Sequence, residues 1–349
     1  MIMKNHILLI LAVVLIALAM LVMMDRTTRT ITSTSKTSFQ CTTPEESEVW
    51  IEGGIFTMGS DDSYREEMPA HSVKLDGYWM DTHEVSNVQF AQFVKETGYI
   101  TVAERMPDPK EFVGVPPEMM KPGSVLFTPP GKGERMTSWW TYVPGVNWKH
   151  PEGLTSSIEN KPDFPVVHIA FEDAQAYADW AGRSLPTEAQ YEFAARSKKE
   201  KERYAWGGAE LAPNNQYKAN TWQGLFPIQN TKEDGYEGIA PVACYEANDY
   251  GVYDLIGNVW EWTGDWYAPR HDPKDNVNPQ GVSQDKSYDK NNVGYPVRTI
   301  KGGSYLCAPN YCKRYRPAAR HAQDTGLGTG HIGFRTVLNT KKAIPVFSR

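Results

Sequence analysis

Cys307 and Cys312 are the residues whose type and spacing point most directly to chemistry, because only four residues separate them. Cysteines five positions apart do not share a face of a regular strand, and they are poorly aligned on a helix. If they act together, the chain must bend between them, and Pro309-Asn310 is a suitable bend. Such a pair can form a structural disulfide, hold Cu(I) between two thiolates or act as a redox couple. The spacing alone leaves all three alternatives open.

The sequence lacks the motifs of several other kinds of active site. The chain has no C-x2-C pair and no H-E-x-x-H spacing, which argues against zinc. It has no G-x-S-x-G, P-loop or dinucleotide fingerprint, which argues against a serine hydrolase, an NTPase or a Rossmann enzyme. A nucleophilic cysteine with His321 or His331 as base stays open, but it leaves the second cysteine unexplained. The net charge of −6 argues against a general nucleic-acid surface.

Oxygen-rich loops upstream of the cysteines could hold calcium. Asp254 and Glu261 flank a Gly-Asn turn, and Asn220, Glu233 and Asp234 precede them. Ca²⁺ prefers six to eight oxygen ligands, including backbone carbonyls. Because no EF-hand spacing accompanies these residues, solvated acidic loops are the alternative.

The N-terminus predicts export. An apolar run from Ile7 to Met24 follows Lys4 and is just long enough to span a bilayer. We interpret residues 1–24 as an uncleaved signal anchor, with a cleaved signal peptide as the alternative. Residues 25–47 are rich in Ser and Thr and predict a flexible tether, in which Cys41 is expected to be unpaired or locally paired. The folded part is then exposed to a periplasm, the extracellular space or an ER-type lumen.

The elements that must position the cysteines are short. With 28 glycines and 24 prolines, the chain predicts an α+β domain over residues 48–340, with many loops, few helices and short strands, followed by a tail at 341–349. Helices are predicted over 84–98 with Ser86 as N-cap, after a short strand within 165–182, and from a Thr187/Gln190 capping box to about Arg196. Residues 105–145 are rich in Pro, Gly and Met and predict irregular structure.

From about residue 48 to 338 the sequence resembles a known family. The segments FTMGSDD, LPTEAQYE, GNVWEW, GGSYLC-x4-C-x-RYR-x-AAR and the closing GFR are similar to the formylglycine-generating enzymes, also called sulfatase-modifying factors. LPTEAQYE and GNVWEW are shared by the wider superfamily, including members without this activity. The cysteine pair within GGSYLC-x4-C is more specific, because pseudo-enzyme relatives lack it.

The resemblance implies a fold related to C-type lectins and a copper- and O₂-dependent oxidase. Its substrate would be a cysteine in a Cys-x-Pro-x-Arg-type motif of a nascent or unfolded sulfatase, which becomes Cα-formylglycine. By this resemblance Cys307 and Cys312 bind Cu(I) as two thiolates. The alternative is a non-catalytic, lectin-like binding or scaffold domain of the same superfamily, and the intact cysteine pair argues against it. An iron-dependent sulfoxide synthase would need a further His-rich helical domain, for which this chain has no room.

The same resemblance assigns four further residues to the active site. Ser304 matches an active-site serine, and Tyr311 and Trp260 match residues that line the pocket. For Trp260, ordinary core packing is an equal alternative. His331 stands where the animal enzymes have an active-site Asn, and we expect it to make activity pH-sensitive near neutrality.

The resemblance also implies two structural calcium sites. The matching positions are Asn220, Thr221 (backbone), Asp234 and Tyr236 (backbone) for one site, and Asp254, Gly257 (backbone), Val259 (backbone) and Glu261 for the other. Asp254 replaces a neutral Asn and so adds charge. The cysteines of the animal enzymes' disulfides are absent, so stability is expected to come from packing and calcium. Cys244 has no counterpart and is predicted to be a buried, unreactive thiol.

Overall fold

The computed structural model describes residues 41, 44, 46–108, 116, 120–131, 139–199, 202–208, 212–213 and 216–340. Its strands are β1 Glu48–Ile51, β2 Gly54–Met58, β3 His71–Leu75, β4 Tyr78–Asp81, β5 Gly123–Phe127, β6 Trp140–Pro144, β7 Trp260–Trp266, β8 Val297–Lys301, β9 Arg320–Asp324, β10 Ile332–Gly333 and β11 Val337–Leu338. Its helices are α1 Asn87–Thr97, α2 Phe171–Trp180 and α3 Glu188–Arg196. Turns and loops make up most of the remainder. The predicted loop-rich α+β fold is confirmed.

The strands of the described residues form small sheets that close the domain. One sheet has the order β1-β4-β11, so strands from the two ends of the domain pair with the same central strand. A second sheet has the order β10-β7-β8-β9, in which only the β10–β7 pair is parallel. β2 and β3 form a hairpin, as do β5 and β6. The cysteine segment connects β8 to β9, neighbouring antiparallel strands of the second sheet.

The helices begin and end where the sequence predicts. Ser86 precedes α1 in a capping box with Gln89, whose side chain accepts a hydrogen bond from the Ser86 N–H at 2.8 Å. Gly98 ends α1 in the left-handed conformation, with φ of 69°. Thr187 and Gln190 form the predicted capping box of α3.

Two local predictions were wrong. Residues 105–145 were expected to be irregular, yet β5 and β6 pair there in register from Gly123↔Pro144 to Phe127↔Trp140. The pairing satisfies the backbone N–H and C=O groups of both strands. The Gly- and Pro-rich composition of this segment gives no sign of it. Conversely, no strand forms at 165–170, where His168 takes a positive φ of 60° and breaks the extended run.

Buried ion pairs fix the cysteine segment to the core. Arg320 contacts Glu188 of α3 at 2.7 Å, and both side chains are almost fully buried. Arg335, in the GFR close, forms two hydrogen bonds to Glu261 of β7, at 2.7 and 2.8 Å. Breaking such a pair leaves a buried charge uncompensated and costs about 3–5 kcal/mol. The arginines of the quoted motifs therefore position the segment.

A disulfide overturns both predictions for the remaining cysteines. Cys41 and Cys244, 203 positions apart, form a disulfide. Cys41 was expected to be unpaired or locally paired, and Cys244 was expected to be a free, buried thiol. The pairing could not be predicted from local sequence, because only folding of the intervening chain brings the two cysteines together. Stability thus has a covalent source that sequence comparison with the animal enzymes did not predict.

From Cys41 onwards, the described residues belong to one compact unit. No helix among the described residues is long and apolar enough to cross a membrane. The predicted anchor at 1–24, most of the predicted tether at 25–47 and the tail at 341–349 lie outside the described residues.

Candidate active site

The loop between Cys307 and Cys312 bends as the spacing requires and brings the two sulfurs together. Their Sγ atoms lie 2.9 Å apart, and the cysteines are not bonded to each other. The Ala308 carbonyl accepts hydrogen bonds from the N–H groups of Tyr311 and Cys312, which closes the turn over Pro309-Asn310. Cys307 is fully buried and Cys312 is partly open to solvent. One cysteine is thus buried in the core, whereas its partner is partly accessible to solvent.

The residues before Cys307 fasten this turn to the fold. The buried Ser304 accepts a hydrogen bond from the Cys307 N–H through its carbonyl and one from the Leu306 N–H, at 3.3 Å, through its hydroxyl. Gly303 has a positive φ of 80°, and a Cβ there would lie 2.9 Å from the Arg314 carbonyl oxygen. Glycine is required because the two arms of the loop pass this closely. A contact of Ser304 with a reacting group remains a prediction.

The two thiols differ in acidity. A hydrogen bond from Cys307, assisted by the nearby Arg314 charge, lowers the pKa of Cys312 to about 7. Burial raises the pKa of Cys307 well above its usual range, and the bond to Cys312 adds to this effect. The partly exposed Cys312 is therefore the thiolate of the pair near neutral pH.

The donor chemistry of this pair fits a soft metal. Two thiol sulfurs, one of them ionised near neutrality, are the ligands that Cu(I) prefers. Cys307 and Cys312 are the residues that would hold such a metal, the first from a buried position and the second from a partly exposed one.

Aromatic rings form a wall beside the sulfurs. Tyr311, half exposed, stacks on Phe226 with ring centroids 4.3 Å apart, and Trp139 packs edge-on against Tyr311 at 5.8 Å. Asn310 accepts a hydrogen bond from the Phe226 N–H at 3.3 Å and donates one to the Phe226 carbonyl at 3.1 Å. The loop at 224–229 is thereby held against the cysteine loop. Tyr311 lies in the cysteine loop beside Cys312, and its role in lining the pocket stays a prediction.

The lowered pKa of His331 keeps its ring neutral near neutral pH. Its ring lies 4.7 Å from that of Trp140, and its Nδ1 is 2.6 Å from the Thr329 hydroxyl. Burial, with smaller contributions from His321 and His168, lowers the pKa of His331 to about 3. The expected pH sensitivity near neutrality is therefore wrong for this residue, because a buried ring surrounded by other histidines resists a positive charge.

Trp260 is buried within the main core cluster, which also includes Cys307. Its ring lies 5.9 Å from that of His321. Its backbone N–H donates a hydrogen bond to the His331 carbonyl at 2.8 Å. Core packing accounts for this position. A direct role for Trp260 in the pocket remains a prediction.

Two of the four residues predicted for the first calcium site, Thr221 and Asp234, have oxygens that lie close together. The Thr221 carbonyl and the Asp234 carboxylate both contact the amide nitrogen of Gln223, so they converge on one point. The Asp234 carboxylate also accepts hydrogen bonds from the backbone N–H groups of Thr221, at 3.0 Å, and Tyr236, at 3.1 Å. Asp234 is fully buried, and burial raises its pKa to about 6. A buried carboxylate without a cationic side chain among the described residues fits a metal ion.

The second predicted site carries excess negative charge. Asp254 and Glu261 are buried, and Arg335 is paired with Glu261. Glu84 lies within electrostatic reach of both carboxylates, and its Oε2 has no hydrogen-bond partner among the described residues. One arginine cannot balance three buried carboxylates, so this region also fits a cation.

The two predicted calcium loops lie side by side. A Cβ on Gly257 would meet the Asn220 carbonyl oxygen at 2.3 Å, and the Asn258 N–H donates to that oxygen at 2.9 Å. Val259 is buried next to them. The described residues contain no cluster of three Asp, Glu, His or Cys side chains able to hold a metal. Any ion there needs backbone and amide oxygens, as the resemblance implies.

Comparison with known proteins identifies the family. The family described as "Sulfatase-modifying factor enzyme 1-like domain" matches residues 34–340. The formylglycine-generating enzyme of Mycobacterium tuberculosis is 45% identical over 292 residues, which are 82% of this chain and 96% of that protein. The chain belongs to the sulfatase-modifying factor family.

Family membership does not by itself establish activity. A Mus musculus protein named "Inactive C-alpha-formylglycine-generating enzyme 2" is 40% identical over 293 residues, which are 82% of this chain and 84% of that protein. The structure of PvdO from Pseudomonas aeruginosa superposes with a TM-score of 0.56 at 21% identity, covering 83% of this chain and 93% of that one. This likeness supports the fold alone. Activity has to be argued from the site.

Sequence reasoning missed several residues of this sulfatase-modifying factor site. Phe226 and Trp139 belong to the aromatic wall, and Asn310 is hydrogen-bonded to Phe226. Glu66 contacts Arg314 at 2.6 Å. Arg314 could have been found, because it follows Cys312 by two positions. Glu66 lies 248 positions before Arg314, and no local pattern indicates that contact.

Proposed function

We propose that this protein converts a cysteine of sulfatase polypeptides to Cα-formylglycine. The observation that carries the proposal is the intact, unbonded pair Cys307 and Cys312, whose sulfurs lie 2.9 Å apart, the first buried and the second partly exposed. The identity of 45% to an enzyme named for this activity supports it. A binding or scaffold domain has no need for two adjacent thiols of different acidity.

The conversion is a two-electron oxidation followed by hydrolysis. The Cβ–H and S–H bonds of the substrate cysteine break, and two protons and two electrons leave. Water then adds to the thioaldehyde carbon, the aldehyde oxygen comes from that water, and the sulfur leaves as hydrogen sulfide. In our proposal dioxygen takes up the two electrons and two protons.

Cys307 and Cys312 are the residues that would hold copper. Bound copper would supply the one-electron chemistry that couples thiol oxidation to dioxygen. The buried Cys307 provides one sulfur, and the partly exposed Cys312 provides the other. Ser304 holds the backbone of the turn through the Cys307 N–H.

The aromatic wall would orient the substrate and limit its contact with water. Tyr311 and Trp140 are partly exposed beside Leu225 and Ile228 of the adjoining loop, which expose more than half of their surface. An unfolded sulfatase segment presents apolar side chains that fit such a surface. A folded sulfatase would bury the same side chains.

We further propose that calcium holds the loops at 220–236 and 254–261, and that the protein works in an oxidising, exported compartment. The Cys41–Cys244 disulfide supports export, because such bonds persist in oxidising environments. Attachment to a membrane through residues 1–24 stays a prediction.

The test uses a peptide containing Cys-x-Pro-x-Arg, incubated with enzyme, copper and a thiol reductant under air and analysed by mass spectrometry. We expect Cys307→Ser and Cys312→Ser each to abolish aldehyde formation while leaving the fold intact by circular dichroism. The matched control is Cys41→Ser combined with Cys244→Ser, which removes the other two cysteines and should retain activity. Full activity in either single variant would contradict the proposal. Peptide binding without conversion in the wild type would favour a lectin-like binding domain.

A further inference from the structure

The cysteine segment, residues 302–319, is hydrogen-bonded to the turn that precedes β7. The Gly302 carbonyl accepts a hydrogen bond from the Gly257 N–H at 3.0 Å. The Tyr305 N–H donates one to the Asn258 carbonyl at 2.9 Å. Two consecutive residues of the turn therefore hold the first part of the cysteine segment at two points.

Three backbone hydrogen bonds form a closed ring that includes Cys307. The Asn220 carbonyl accepts one from the Asn258 N–H at 2.9 Å, and the Cys307 carbonyl accepts one from the Trp222 N–H at 3.0 Å. The third is the bond between Tyr305 and Asn258. The ring thus joins three short stretches of the chain, at 220–222, 258 and 305–307. Because none of them can shift far without breaking a hydrogen bond, the backbone of Cys307 is fixed relative to Asn258.

The side chain of Asn258 reinforces this ring. Its Oδ1 accepts hydrogen bonds from the Ala240 N–H at 2.9 Å and from Asn220 Nδ2 at 3.1 Å. Its Nδ2 donates to a Glu84 carboxylate oxygen at 3.0 Å and to the Ala240 carbonyl at 3.4 Å. A backbone N–H can only donate, so the atom that faces the Ala240 N–H is the amide oxygen. Asn258 is fully buried, and both polar atoms of its side chain are satisfied within the protein.

Asn258 also has a backbone conformation that suits few residues. Its φ of 50° lies in the left-handed region, which asparagine adopts more readily than most residues with a side chain. Gly257 before it has a φ of 83°, and a Cβ there would lie 2.3 Å from the Asn220 carbonyl oxygen. Asparagine therefore supplies both the turn and the amide at the point where the two loops approach most closely.

Asn248 offers a comparison elsewhere in the domain. Its Oδ1 accepts hydrogen bonds from the N–H groups of Tyr250, at 3.0 Å, and Val252, at 3.1 Å. Its Nδ2 donates to the Ala194 carbonyl at 2.9 Å. All three partners lie outside the cysteine segment and outside the ring. Asn248 thus resembles Asn258 in its use of the amide but not in its position.

We propose that Asn258 is a positioning residue of the sulfur site, which fixes Cys307 at the place where its sulfur meets that of Cys312. Its amide joins the surrounding loops, and its carbonyl connects them to the cysteine segment through Tyr305. Because it is fully buried, it acts without touching a substrate. The consequence for conversion rests on the proposed function, whereas the effect on the two thiols does not.

The first test uses the metal-free enzyme in mixtures of reduced and oxidised glutathione at one fixed pH. Oxidised glutathione takes two electrons and two protons from Cys307 and Cys312, which form a disulfide, and becomes two molecules of reduced glutathione. Differential alkylation and peptide mass spectrometry give the oxidised fraction of this pair, separately from Cys41–Cys244. The equilibrium constant reports the effective concentration of one thiol at the other, and hence how well the two are positioned.

Asn258→Gly removes the amide and keeps the left-handed backbone, which glycine adopts at no steric cost. We expect the equilibrium constant to fall about tenfold or more, because the hydrogen bonds of the amide are lost. The matched control Asn248→Ala should lower the melting temperature but keep the constant within about twofold. A wild-type constant in folded Asn258→Gly would overturn the proposal, and so would an equal fall in Asn248→Ala.

Exchanging the donor and the acceptor provides a rescue experiment. Asn258→Asp alone places a carboxylate against that of Glu84 with no donor between them, so the constant should fall at least as far as in Asn258→Gly. Adding Glu84→Gln restores the hydrogen bond with the roles reversed and returns the pair to its original charge. The double variant should come within about threefold of the wild type. A double variant no closer to the wild type than Asn258→Asp would overturn the proposal, even if Asn258→Gly did not fold.

Peptide conversion by the copper-loaded enzyme supplies the second test. Because Asn258 is buried, its variants should lower kcat about tenfold and leave KM for the Cys-x-Pro-x-Arg peptide within about twofold. A raised KM with an unchanged kcat would contradict a positioning role. If the wild type converted no peptide, the proposed function would fail, and the glutathione equilibrium would still decide the role of Asn258.

Discussion

His331 shows how one residue's surroundings can reverse an expectation based on its type. A histidine in place of an active-site asparagine suggests a switch near neutral pH. In the structure its ring is buried against Trp140, and its Nδ1 contacts Thr329. With its pKa lowered to about 3, it stays neutral at physiological pH and acts as a hydrogen-bonding ring, as an asparagine amide would.

We therefore predict that His331 contributes no ionisation to activity between pH 5 and 8. The ring gains a proton only near pH 3, far below that range. The pH profile of kcat/KM should have the same shape in His331→Asn as in the wild type. The measurement is peptide conversion at half-unit pH intervals. Loss of an ionisation near pH 6 to 7 in the variant would show that the ring titrates after all.

The sequence predicts the two reactive cysteines of the site better than the residues that surround them. The proximity of Cys307 and Cys312 could be predicted, because their spacing is short and Pro309-Asn310 between them favours a bend. The positions of Phe226 and Glu66 could not be predicted. Phe226 contacts Asn310, which lies 84 positions away in the sequence, and Glu66 contacts Arg314, which lies 248 positions away. Periodicity and capping report local structure and carry no signal for such contacts.

At the scale of elements, the cysteine loop and the loop at 224–229 act as one surface. Asn310 joins them through hydrogen bonds to both backbone groups of Phe226, and Tyr311 stacks on the Phe226 ring. Neither loop belongs to a strand or helix, so these contacts set their relative position. The surface next to the sulfurs depends on them.

Asn310→Ala should impair substrate capture more than stability. Two hydrogen bonds, each with a net value of about 1 kcal/mol, are lost, and we expect kcat/KM to fall about tenfold. The melting temperature should fall by only a few degrees, since the two hydrogen bonds together contribute about 2 kcal/mol. Asn292→Ala, which removes a side-chain hydrogen bond to Asp289 in a distant loop, is the control. Equal kinetics in the two variants would refute the coupling of the loops.

Capping residues made the helices predictable, whereas strand pairing was only partly so. Ser86 with Gln89 and Thr187 with Gln190 satisfy helix N–H groups locally, and both helices begin there. The β5–β6 hairpin was missed because its arms are separated by more than a tight turn, so its pairing depends on residues far apart in sequence.

At the scale of the whole molecule, the first and last strands of the described domain are held together. β11 pairs with β4, which also pairs with β1, and the Cys41–Cys244 disulfide joins the N-terminal side to the centre of the chain. Cys244 lies between Ala243, whose N–H donates to Asp254, and Tyr245, whose hydroxyl donates to the Asp234 carbonyl. The disulfide thus attaches to the segment that contacts both predicted calcium loops.

Replacing Cys41 and Cys244 together with serine should destabilise the protein by about 2–4 kcal/mol, since the disulfide restricts a long loop of the unfolded chain. Urea unfolding of oxidised wild type and the double variant measures the difference. Activity at low temperature should stay within about twofold, because Cys307 and Cys312 are untouched. Identical unfolding midpoints would mean that the disulfide does not form in solution.

Calcium removal should lower the melting temperature of the wild type. Asp234 is a buried carboxylate without a cationic partner among the described residues, so an ion at its site stabilises the folded state by mass action. We predict a decrease of several degrees in a calcium chelator, reversed by added Ca²⁺. Asp234→Asn should lose the part of this response that comes from the first site, and the exposed Asp285→Asn should keep the full response. A chelator-insensitive wild type would contradict the calcium assignment.

The most direct measurement is the mass of a Cys-x-Pro-x-Arg peptide after incubation with reduced, copper-free enzyme under air, with and without one equivalent of Cu(I). With copper, the account predicts that the cysteine loses its sulfur and two hydrogens and gains one oxygen, with release of hydrogen sulfide. Without copper the peptide mass should stay unchanged. An unchanged peptide in the presence of copper-loaded, folded enzyme and dioxygen would contradict the proposed function.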